Sequence, residues 1–321
     1  MLSGQQASQT DKPLITIVGV MGKQGRSTAF CLIKSGLFRV RGITRKTNSA
    51  EGLKMAKLGI ELIDLPLRPG LQADFTKAFA GSQGVFLMTP NIIPPDNYEF
   101  ELGKQLADAA VAAGVQHIVF SSLENVVSIS GGRYLAPHFT DKAKIEVYIR
   151  SLPIRSSFIM MAFFYTNLAE FYTPYLADGK LIFPIYLPED FQAPFVDPLT
   201  ATGPAVLELF KHQQKYAGQS LPVIGEFISP RQIVNDFNLI TGQNAVYSSA
   251  YSKQELLHHF PDMSQQPELV QEILDMTHFV VKHGYYRKQR DIEWSQNLNP
   301  ERLTWKGFIK QTKWQGEKKV Y

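Results

Sequence analysis

Hydrophobic and polar positions follow two different periods along the first half of the chain. Short runs rich in β-branched and aromatic residues alternate with longer stretches whose apolar residues recur at helical spacing. The runs predict strands over 14–20, 38–44, 60–64, 84–88, 117–122 and 155–160, and the stretches predict helices over 27–35, 49–57, 73–79, 98–113 and 139–150. Strands that alternate with helices are typical of a parallel sheet covered by helices on both faces. The pattern therefore predicts an α/β fold with a doubly wound parallel sheet.

The regular alternation ends after Met160. Four prolines lie among aromatic residues between Leu181 and Pro198, a composition that predicts an irregular loop. The helical stretches and short strands that follow, such as LPVIG at 221–225, predict a smaller C-terminal α/β lobe above the carboxyl edge of the sheet. We therefore expect a flexible tail over 1–12, a sheet domain over 13–160 and a smaller substrate or partner lobe over 161–321.

The composition is that of a globular protein, because 44% of the 321 residues are hydrophobic and 19% are charged. The net charge of +4 raises the question of a nucleic-acid partner. The excess lies in residues 287–321, which carry nine Lys or Arg against four Asp or Glu and also hold Trp294, Trp305 and Trp314. This combination predicts a basic segment docked on the smaller lobe. Direct nucleic-acid binding is not expected, since the sequence has no helix-turn-helix, zinc or RNP motif.

The number of cysteines and the hydropathy of the sequence indicate in which cellular compartment the protein is expected. The single cysteine, Cys31, excludes an internal disulfide and a zinc site built on cysteine pairs, so no metal site is predicted. We interpret it as a small core residue of the first helix. The sequence shows no secretory signal and no apolar run long enough to cross a bilayer. These features favour a cytoplasmic protein without a membrane partner, and they leave a nuclear location open.

A glycine-rich loop follows the first predicted strand. Gly19, Gly22 and Gly25 form GVMGKQG between that strand and the first helix. A dinucleotide-binding turn needs a sharp bend, a close approach of the backbone to a pyrophosphate and tight packing of helix on strand, and each requirement removes a side chain. The free N–H groups of the helix N-terminus complete the anion site. We therefore predict a Rossmann fold whose loop, with Lys23 and Gln24, binds a dinucleotide; an ordinary glycine-rich turn is the alternative.

The residues that end the next strands indicate which dinucleotide binds. An NAD-selective Rossmann fold places an acidic residue after the second strand, where this sequence has Arg45 and Lys46. Two cations suit the 2′-phosphate of NADP, so NADP(H) is favoured over NAD(H), and an exposed basic turn is the alternative. Asp64, which ends the third strand, is expected to cap either the adenine pocket or a turn. Thr89 and Pro90 follow the fourth strand, where a nicotinamide would pass, or they form a plain loop.

Several blocks of sequence occur in an order that resembles one family. They are GVMGKQG followed by ITRK, then HIVFSSLENV, PHFTDKAKIEVYIR and FFYTNL. From Leu14 to RLTWKGFIKQ the chain is similar to the NmrA-like family of atypical short-chain dehydrogenase/reductases. The resemblance implies a Rossmann fold with a small C-terminal lobe that binds NAD(P). It also implies two kinds of function, because several members are redox-sensing regulators that act through protein partners and others transfer hydride from NADPH.

The catalytic pair of typical short-chain dehydrogenases is missing. Those enzymes use YxxxK, but no tyrosine of this chain has a lysine four residues later. His138 and Lys142 form an HxxxK at the expected place, and Ser121 and Ser122 end the fifth strand where those enzymes keep a serine that orients the substrate. We expect Lys142 to hold the nicotinamide ribose, with a solvated helix lysine as the alternative. His138 is a candidate proton donor, although a capping or packing role is favoured.

Two functions therefore compete. The missing YxxxK pair favours a regulator that binds NADP(H) and changes its contacts with a protein partner. The aromatic, proline-rich segment favours an NADPH-dependent reductase of quinones or similar conjugated acceptors, which needs mainly positioning and a proton source. Phe163, Tyr165 and Asn167 are expected to line the cleft for such a small-molecule acceptor or to pack in the core, and Asn167 matches a family position. The sequence leaves oligomerisation open.

Overall fold

The computed structural model describes residues 12–90, 92 and 94–321, so the predicted tail over 1–12 lies outside the described residues except for Lys12. The strands, in chain order, are β1 (Leu14–Val18), β2 (Arg39–Thr44), β3 (Glu61–Asp64), β4 (Gly84–Leu87), β5 (His117–Ser122), β6 (Arg155–Met161), β7 (Phe163–Phe164), β8 (Tyr175–Ala177), β9 (Lys180–Ile185), β10 (Ala193–Val196), β11 (Ser220–Val223), β12 (Glu226–Ile228) and β13 (Ala245–Ser249).

The helices occur between and after these strands. They are α1 (Lys23–Ser35), α2 (Ala50–Lys57), α3 (Gln72–Phe79), α4 (Glu99–Ala112), α5 (Val126–Ser130), α6 (Pro137–Ser151), α7 (Asn167–Glu170), α8 (Pro198–Lys211), α9 (Pro230–Thr241), α10 (Lys253–His259), α11 (Pro267–His283), α12 (Trp294–Leu298) and α13 (Trp305–Thr312), with a short 3-10 helix over Pro261–Gln265. None of the helices in the described ranges combines the length and the apolar character that crossing a membrane requires.

The central sheet confirms the predicted fold class. Seven strands lie in the order β11-β6-β5-β4-β1-β2-β3, and every neighbouring pair is parallel. Side chains alternate between the faces as expected for strands, so Ile15 and Ile17 join one buried cluster while Val18 joins another. Helices α1 and α8 contribute to the first cluster, and α3, α4 and α6 contribute to the second. The strand order reverses between β1 and β4, and ligands of such sheets bind in the crevice at this reversal.

The smaller lobe contains two small sheets and an aromatic core. Strands β7, β10 and β12 form one sheet, and β8, β9 and β13 form the other. The C-terminal segment contributes two fully buried side chains, Trp305 and Trp314, to this core. The indole N–H of Trp305 donates to the carbonyl oxygen of Ile233 at 2.9 Å. The segment is therefore docked on the smaller lobe at Trp305 and Trp314 as predicted, whereas Trp294 packs against Tyr216 beside the central sheet.

The irregular loop predicted between Leu181 and Pro198 is wrong in two places, because β9 and β10 run through it. Pro184 lies inside β9 and Pro194 lies inside β10. Strand β8 pairs only with Lys180 to Ile182 of β9, and β7 pairs only with the last two residues of β10. Each proline therefore faces an edge with no neighbouring strand on one side, which is where a strand tolerates a missing N–H.

The placement of LPVIG in the smaller lobe is also wrong. Most of it belongs to β11, which pairs with β6 as the seventh strand of the central sheet. Pro222 is compatible with this position because β11 is an edge strand. The preceding helix α8 packs closely on α1, since a Cβ at Gly203 would lie 2.3 Å from the backbone oxygen of Ser27. The chain thus returns to the sheet after residue 160, and the division at that residue stays a prediction.

A buried histidine in the central sheet makes stability depend on pH. His117 in β5 is fully buried, and its Nε2 lies 2.9 Å from Oγ of Ser157. Burial, together with the charge of Arg155, lowers the pKa of His117 from 6.5 to about 4. Because the folded-state pKa lies below the unfolded value, the unfolded chain takes up the proton first as the pH falls. The free energy of unfolding should therefore fall by about 2 kcal/mol between about pH 7.5 and about pH 5.

Urea denaturation across this pH range checks the contribution of His117. The variant His117→Gln should show a flatter pH dependence whatever its absolute stability, because the titrating group is gone. The variant His258→Gln removes an exposed histidine of α10 and should keep the wild-type pH dependence. If the free energy of unfolding of His117→Gln kept the wild-type pH dependence, the attribution of this dependence to His117 would be contradicted.

Candidate functional site

The glycine loop holds all three glycines in positions that suit a glycine. Gly19 has a φ of 69°, in the left-handed region. A Cβ on Gly22 would lie 3.3 Å from the carbonyl oxygen of Gly19, and a Cβ on Gly25 would lie only 2.3 Å from the same atom. The backbone therefore occupies the space that side chains would need. This close packing leaves the N-terminus of α1 open to an anion such as a pyrophosphate.

A cleft of about 470 Å³ opens beside this loop, at the reversal of the strand order. It brings together five of the predicted residues, namely Gly19, Gly22, Arg45, Lys46 and Pro90. The remaining lining residues, which sequence reasoning missed, are Met21, Ile43, Thr44, Leu65, Leu67, Ile92 and Tyr98. Most of these end or follow a parallel strand at the carboxyl edge. Their position after a predicted strand was the signal that could have identified them.

Arg45 and Lys46 are exposed on the wall of the cleft. Among the residues that the structure describes, neither side chain forms an ion pair, whereas Arg41 on the same strand pairs with Glu61. The backbone turn is fixed locally, because the N–H of Lys46 donates to Oγ1 of Thr44 at 3.1 Å. Two cations are therefore available to a bound anion at this end of β2.

Lys23 contacts the smaller lobe instead. Its Nζ lies 2.5 Å from Oε2 of Glu170, whose side chain is 8% exposed. The other oxygen of Glu170 accepts the N–H of Tyr321 at 2.9 Å. A phosphate contact from Lys23 would require exchange of this ion pair, and that contact stays a prediction.

Gln24 and Ser121 meet between the loop and the fifth strand. The hydroxyl of Ser121 donates to Oε1 of Gln24 at 2.9 Å. Asp64, by contrast, is the exposed last residue of β3 and does not line the 470 Å³ cleft, although Leu65 beside it does. Its role at the adenine therefore stays a prediction.

Thr89 and Lys142 meet at a buried carboxylate that sequence reasoning missed. The hydroxyl of Thr89 donates to Oε1 of Glu99 at 2.5 Å, and Nζ of Lys142 forms an ion pair with the same oxygen. Glu99 is 2% exposed, and the side chain of Lys142 is 13% exposed. The solvated alternative for Lys142 is therefore wrong. Its hold on the nicotinamide ribose stays a prediction.

His138 is held by a second carboxylate from the smaller lobe. Its backbone N–H donates to Oε1 of Glu272 at 3.1 Å, and its Nδ1 bonds the same oxygen. Burial opposes the charge on Glu272, but the hydrogen bonds and charge of His138, with the charge of Lys142, outweigh it and lower the pKa of Glu272. A cleft of about 360 Å³ lies beside this pair, and Glu99 also lines it. His138 thus anchors the start of α6 to α11, which agrees with the favoured capping or packing role.

The expected lining of the cleft by Phe163 and Tyr165 needs correction. Phe163 is 5% exposed and packs against Tyr285 with ring centroids 4.7 Å apart. Tyr165 is fully buried, and its hydroxyl donates to Glu226 at 2.8 Å. Burial, followed by the charge of Glu226, raises the pKa of Tyr165 well above its usual range. Both side chains belong to the aromatic core of the smaller lobe. Asn167 is half-buried at the start of α7, and its role stays a prediction.

Known proteins share this sequence pattern and this fold. Residues 11–313 match the model of the NmrA-like family. A curated NmrA-like family domain-containing oxidoreductase of Aspergillus flavus, lnaB, is 34% identical over 256 residues, which cover 73% of this chain and 75% of that protein.

Two solved structures are similar in fold. One is NmrA, a negative transcriptional regulator in complex with NAD, with a TM-score of 0.76 and 21% identity over 94% of this chain and 95% of that one. The other is the NADPH-dependent quinone oxidoreductase QOR2 of Escherichia coli complexed with NADPH, with a TM-score of 0.73 and 16% identity over 93% and 99%. At these identities the similarity shows a shared fold.

Proposed function

Because the chain belongs to the NmrA-like family, we propose that it binds NADP(H) and acts as a redox-sensing regulator through protein partners. The nicotinamide of such a cofactor exists in an oxidised and a reduced form, and it can accept or donate a hydride. A protein can convert this difference into altered contacts only if it binds the two forms with different affinity. The proposal therefore requires a dinucleotide site and does not require turnover.

One observation carries the choice of cofactor. The glycine loop lines the same cleft as Arg45 and Lys46, two cations that form no ion pair with any residue the structure describes. The glycine spacing is the one that lets a backbone approach a pyrophosphate, and a Cβ at Gly25 would lie 2.3 Å from the carbonyl oxygen of Gly19. A guanidinium at the end of the second strand matches a 2′-phosphate, where an NAD-selective site would hold a carboxylate. Structural relatives with bound NAD or NADPH support a nicotinamide dinucleotide in general.

The hydrogen bonds of the candidate proton donors support a regulator. A carbonyl reductase needs an acid near the cofactor that can release its proton. Here His138 is bonded to Glu272, and no tyrosine stands four residues before Lys142. The hydroxyls of Tyr285 and Tyr286 donate to the carbonyl oxygens of Met161 and Met160, both at 2.9 Å. The geometry therefore favours binding over proton transfer.

Titration of the protein with NADP⁺ and with NADPH tests the regulator proposal. We expect distinguishable dissociation constants, together with different hydrogen-exchange protection in the two complexes. A differential affinity is needed because equal binding to two states shifts no equilibrium. Identical isotherms and identical protection would overturn the regulator proposal.

Substitution of Arg45 tests the choice of cofactor. Arg45→Ala should raise the Kd for NADP(H) about 30-fold and change the Kd for NAD(H) less than about threefold, because a charge-assisted contact to the 2′-phosphate is lost. Arg39 begins the same strand at the opposite edge of the sheet, so Arg39→Ala is the matched control and should leave both constants unchanged. Isothermal titration measures the four constants. An unchanged preference in Arg45→Ala would refute the assignment of the second strand.

A reductase of quinones or similar conjugated acceptors is the second candidate, favoured by the oxidoreductase name of the 34% identical relative. Steady oxidation of NADPH with a panel of quinones would support it, provided that Lys142→Ala abolishes the activity and Lys144→Ala keeps it. Lys144 is the control because it is exposed and pairs only with Asp141 among the described residues. The absence of turnover with micromolar protein across the panel would leave the regulator as the better proposal.

A further inference from the structure

Glu99 is a buried carboxylate at the junction of three elements. It is the first residue of α4, it accepts a hydrogen bond from Thr89 after β4, and it pairs with Lys142 on α6. Only 2% of its surface is exposed. A carboxylate buried to this extent stays charged only when partners compensate it, and here Lys142, Thr89 and the N-terminus of α4 do so. The pair therefore presents almost no net charge to its surroundings.

The charge of this pair matters for a nicotinamide dinucleotide. The nicotinamide ring carries a positive charge in the oxidised cofactor and none in the reduced cofactor. A lysine alone beside the ring would repel the oxidised form and leave the affinity for the reduced form nearly unchanged. A carboxylate that neutralises the lysine removes this repulsion, so that the other contacts of the cofactor set the remaining preference.

We infer that Glu99 sets the relative affinity for oxidised and reduced cofactor by cancelling the charge of Lys142. The inference rests on the proposed function, because it requires NADP(H) to bind with its nicotinamide ribose at Lys142. Glu99 is then a positioning and charge-setting residue rather than a catalytic one. The balance between the two forms of the cofactor then changes when either charge of this buried ion pair is removed alone.

Other charged groups near Lys142 limit the size of the effect. Glu272 interacts electrostatically with Lys142, and it also forms a hydrogen bond with His138. Glu272 therefore compensates part of the lysine charge when Glu99 is absent. A full unit charge within about 10 Å of the ring, at an effective dielectric constant of about 20, would change the relative affinity by somewhat more than tenfold, and the partial compensation by Glu272 reduces this to about tenfold.

Substitution of Glu99 by glutamine tests the inference. Glutamine keeps the shape and can still accept the hydrogen bond from Thr89, but it removes the charge. We expect the ratio Kd(NADP⁺)/Kd(NADPH) to rise about tenfold. The matched control is Glu101→Gln on the same helix, where the exposed carboxylate bonds only Gln105 among the described residues. Its ratio should equal that of the wild type.

A second variant covers the case in which Glu99→Gln does not fold. Lys142→Gln leaves the carboxylate of Glu99 without its lysine and should shift the ratio about tenfold in the opposite direction. The double variant Glu99→Gln/Lys142→Gln should return the ratio to the wild-type value. Thermal melts of the cofactor-free proteins establish that each variant is folded before titration.

The outcomes separate this inference from the proposed function. If the variants weaken both cofactor forms equally and leave the ratio unchanged, Glu99 has a structural role only and the inference fails. If the double variant keeps the shifted ratio of Glu99→Gln, the effect does not act through Lys142 and the inference fails as well. If the wild-type protein binds neither NADP⁺ nor NADPH, the proposed function itself fails.

Discussion

Gly25→Ala is expected to weaken NADP(H) binding about 100-fold and to lower the free energy of unfolding by about 3 kcal/mol. The added Cβ would lie 2.3 Å from the carbonyl oxygen of Gly19 and 2.7 Å from Cα of Val20. Both contacts are with backbone atoms, so rotation of a side chain cannot relieve them. Helix α1 has to move away from β1, and its N-terminus then no longer faces the cleft. Isothermal titration measures the affinity, and urea denaturation measures the stability.

Gly36 provides the control on the same helix. It follows α1 with a φ of 69°, and apart from its chain neighbours no described residue has an atom within 4 Å of its Cβ position. Gly36→Ala should therefore cost about 1 kcal/mol for the left-handed backbone and leave cofactor affinity unchanged. Wild-type affinity in Gly25→Ala would show that the glycine loop is not the dinucleotide site.

Glu124→Ala is expected to lower the free energy of unfolding by about 4 kcal/mol. The side chain of Glu124 is 2% exposed and lies just after β5. Its two oxygens accept from Nε and Nη2 of Arg290 at 2.8 and 3.1 Å, and the N–H of Arg287 donates to it at 3.2 Å. Its removal leaves the partly buried guanidinium of Arg290 without its partner. The cost is large because an uncompensated charge stays away from water.

The same carboxylate fixes the end of the smaller lobe to the sheet. Tyr285 and Tyr286 directly precede Arg287 in the chain, and their hydroxyls donate to the last carbonyls of β6. The control is Asp190→Ala, which removes an exposed partner of Arg231 and should change the urea midpoint very little. Urea denaturation compares the two variants. A loss in Glu124→Ala no larger than in Asp190→Ala would mean that this segment is held by its aromatic packing alone.

The strands of the central sheet up to residue 160 and the glycine loop after β1 could be predicted from local sequence. The six strands predicted up to residue 160 are present because each is a short β-rich run between turn residues. The glycine spacing identified the turn after β1, since the bend and the close packing depend on residues next to one another. Arg45 and Lys46 could be placed in the cleft for the same reason, because the carboxyl end of a parallel strand lies at the ligand edge.

The partners of the buried charges could not be predicted. Glu99 pairs with Lys142 across 43 residues, Glu272 bonds His138 across 134, and Glu170 pairs with Lys23 across 147. Each carboxylate looks like an ordinary helix residue in the sequence. Burial decides which of them matter, and burial depends on elements that are far apart along the chain.

The α/β class, the glycine loop and the basic end of the second strand could be predicted from the sequence, because they depend on neighbouring residues and on a repeating period. The three-dimensional contacts were needed to show that β11 completes the central sheet, that Phe163 and Tyr165 belong to the core, and that Glu99 pairs with Lys142. These features depend on contacts between distant segments, whose burial and charge compensation no local pattern records.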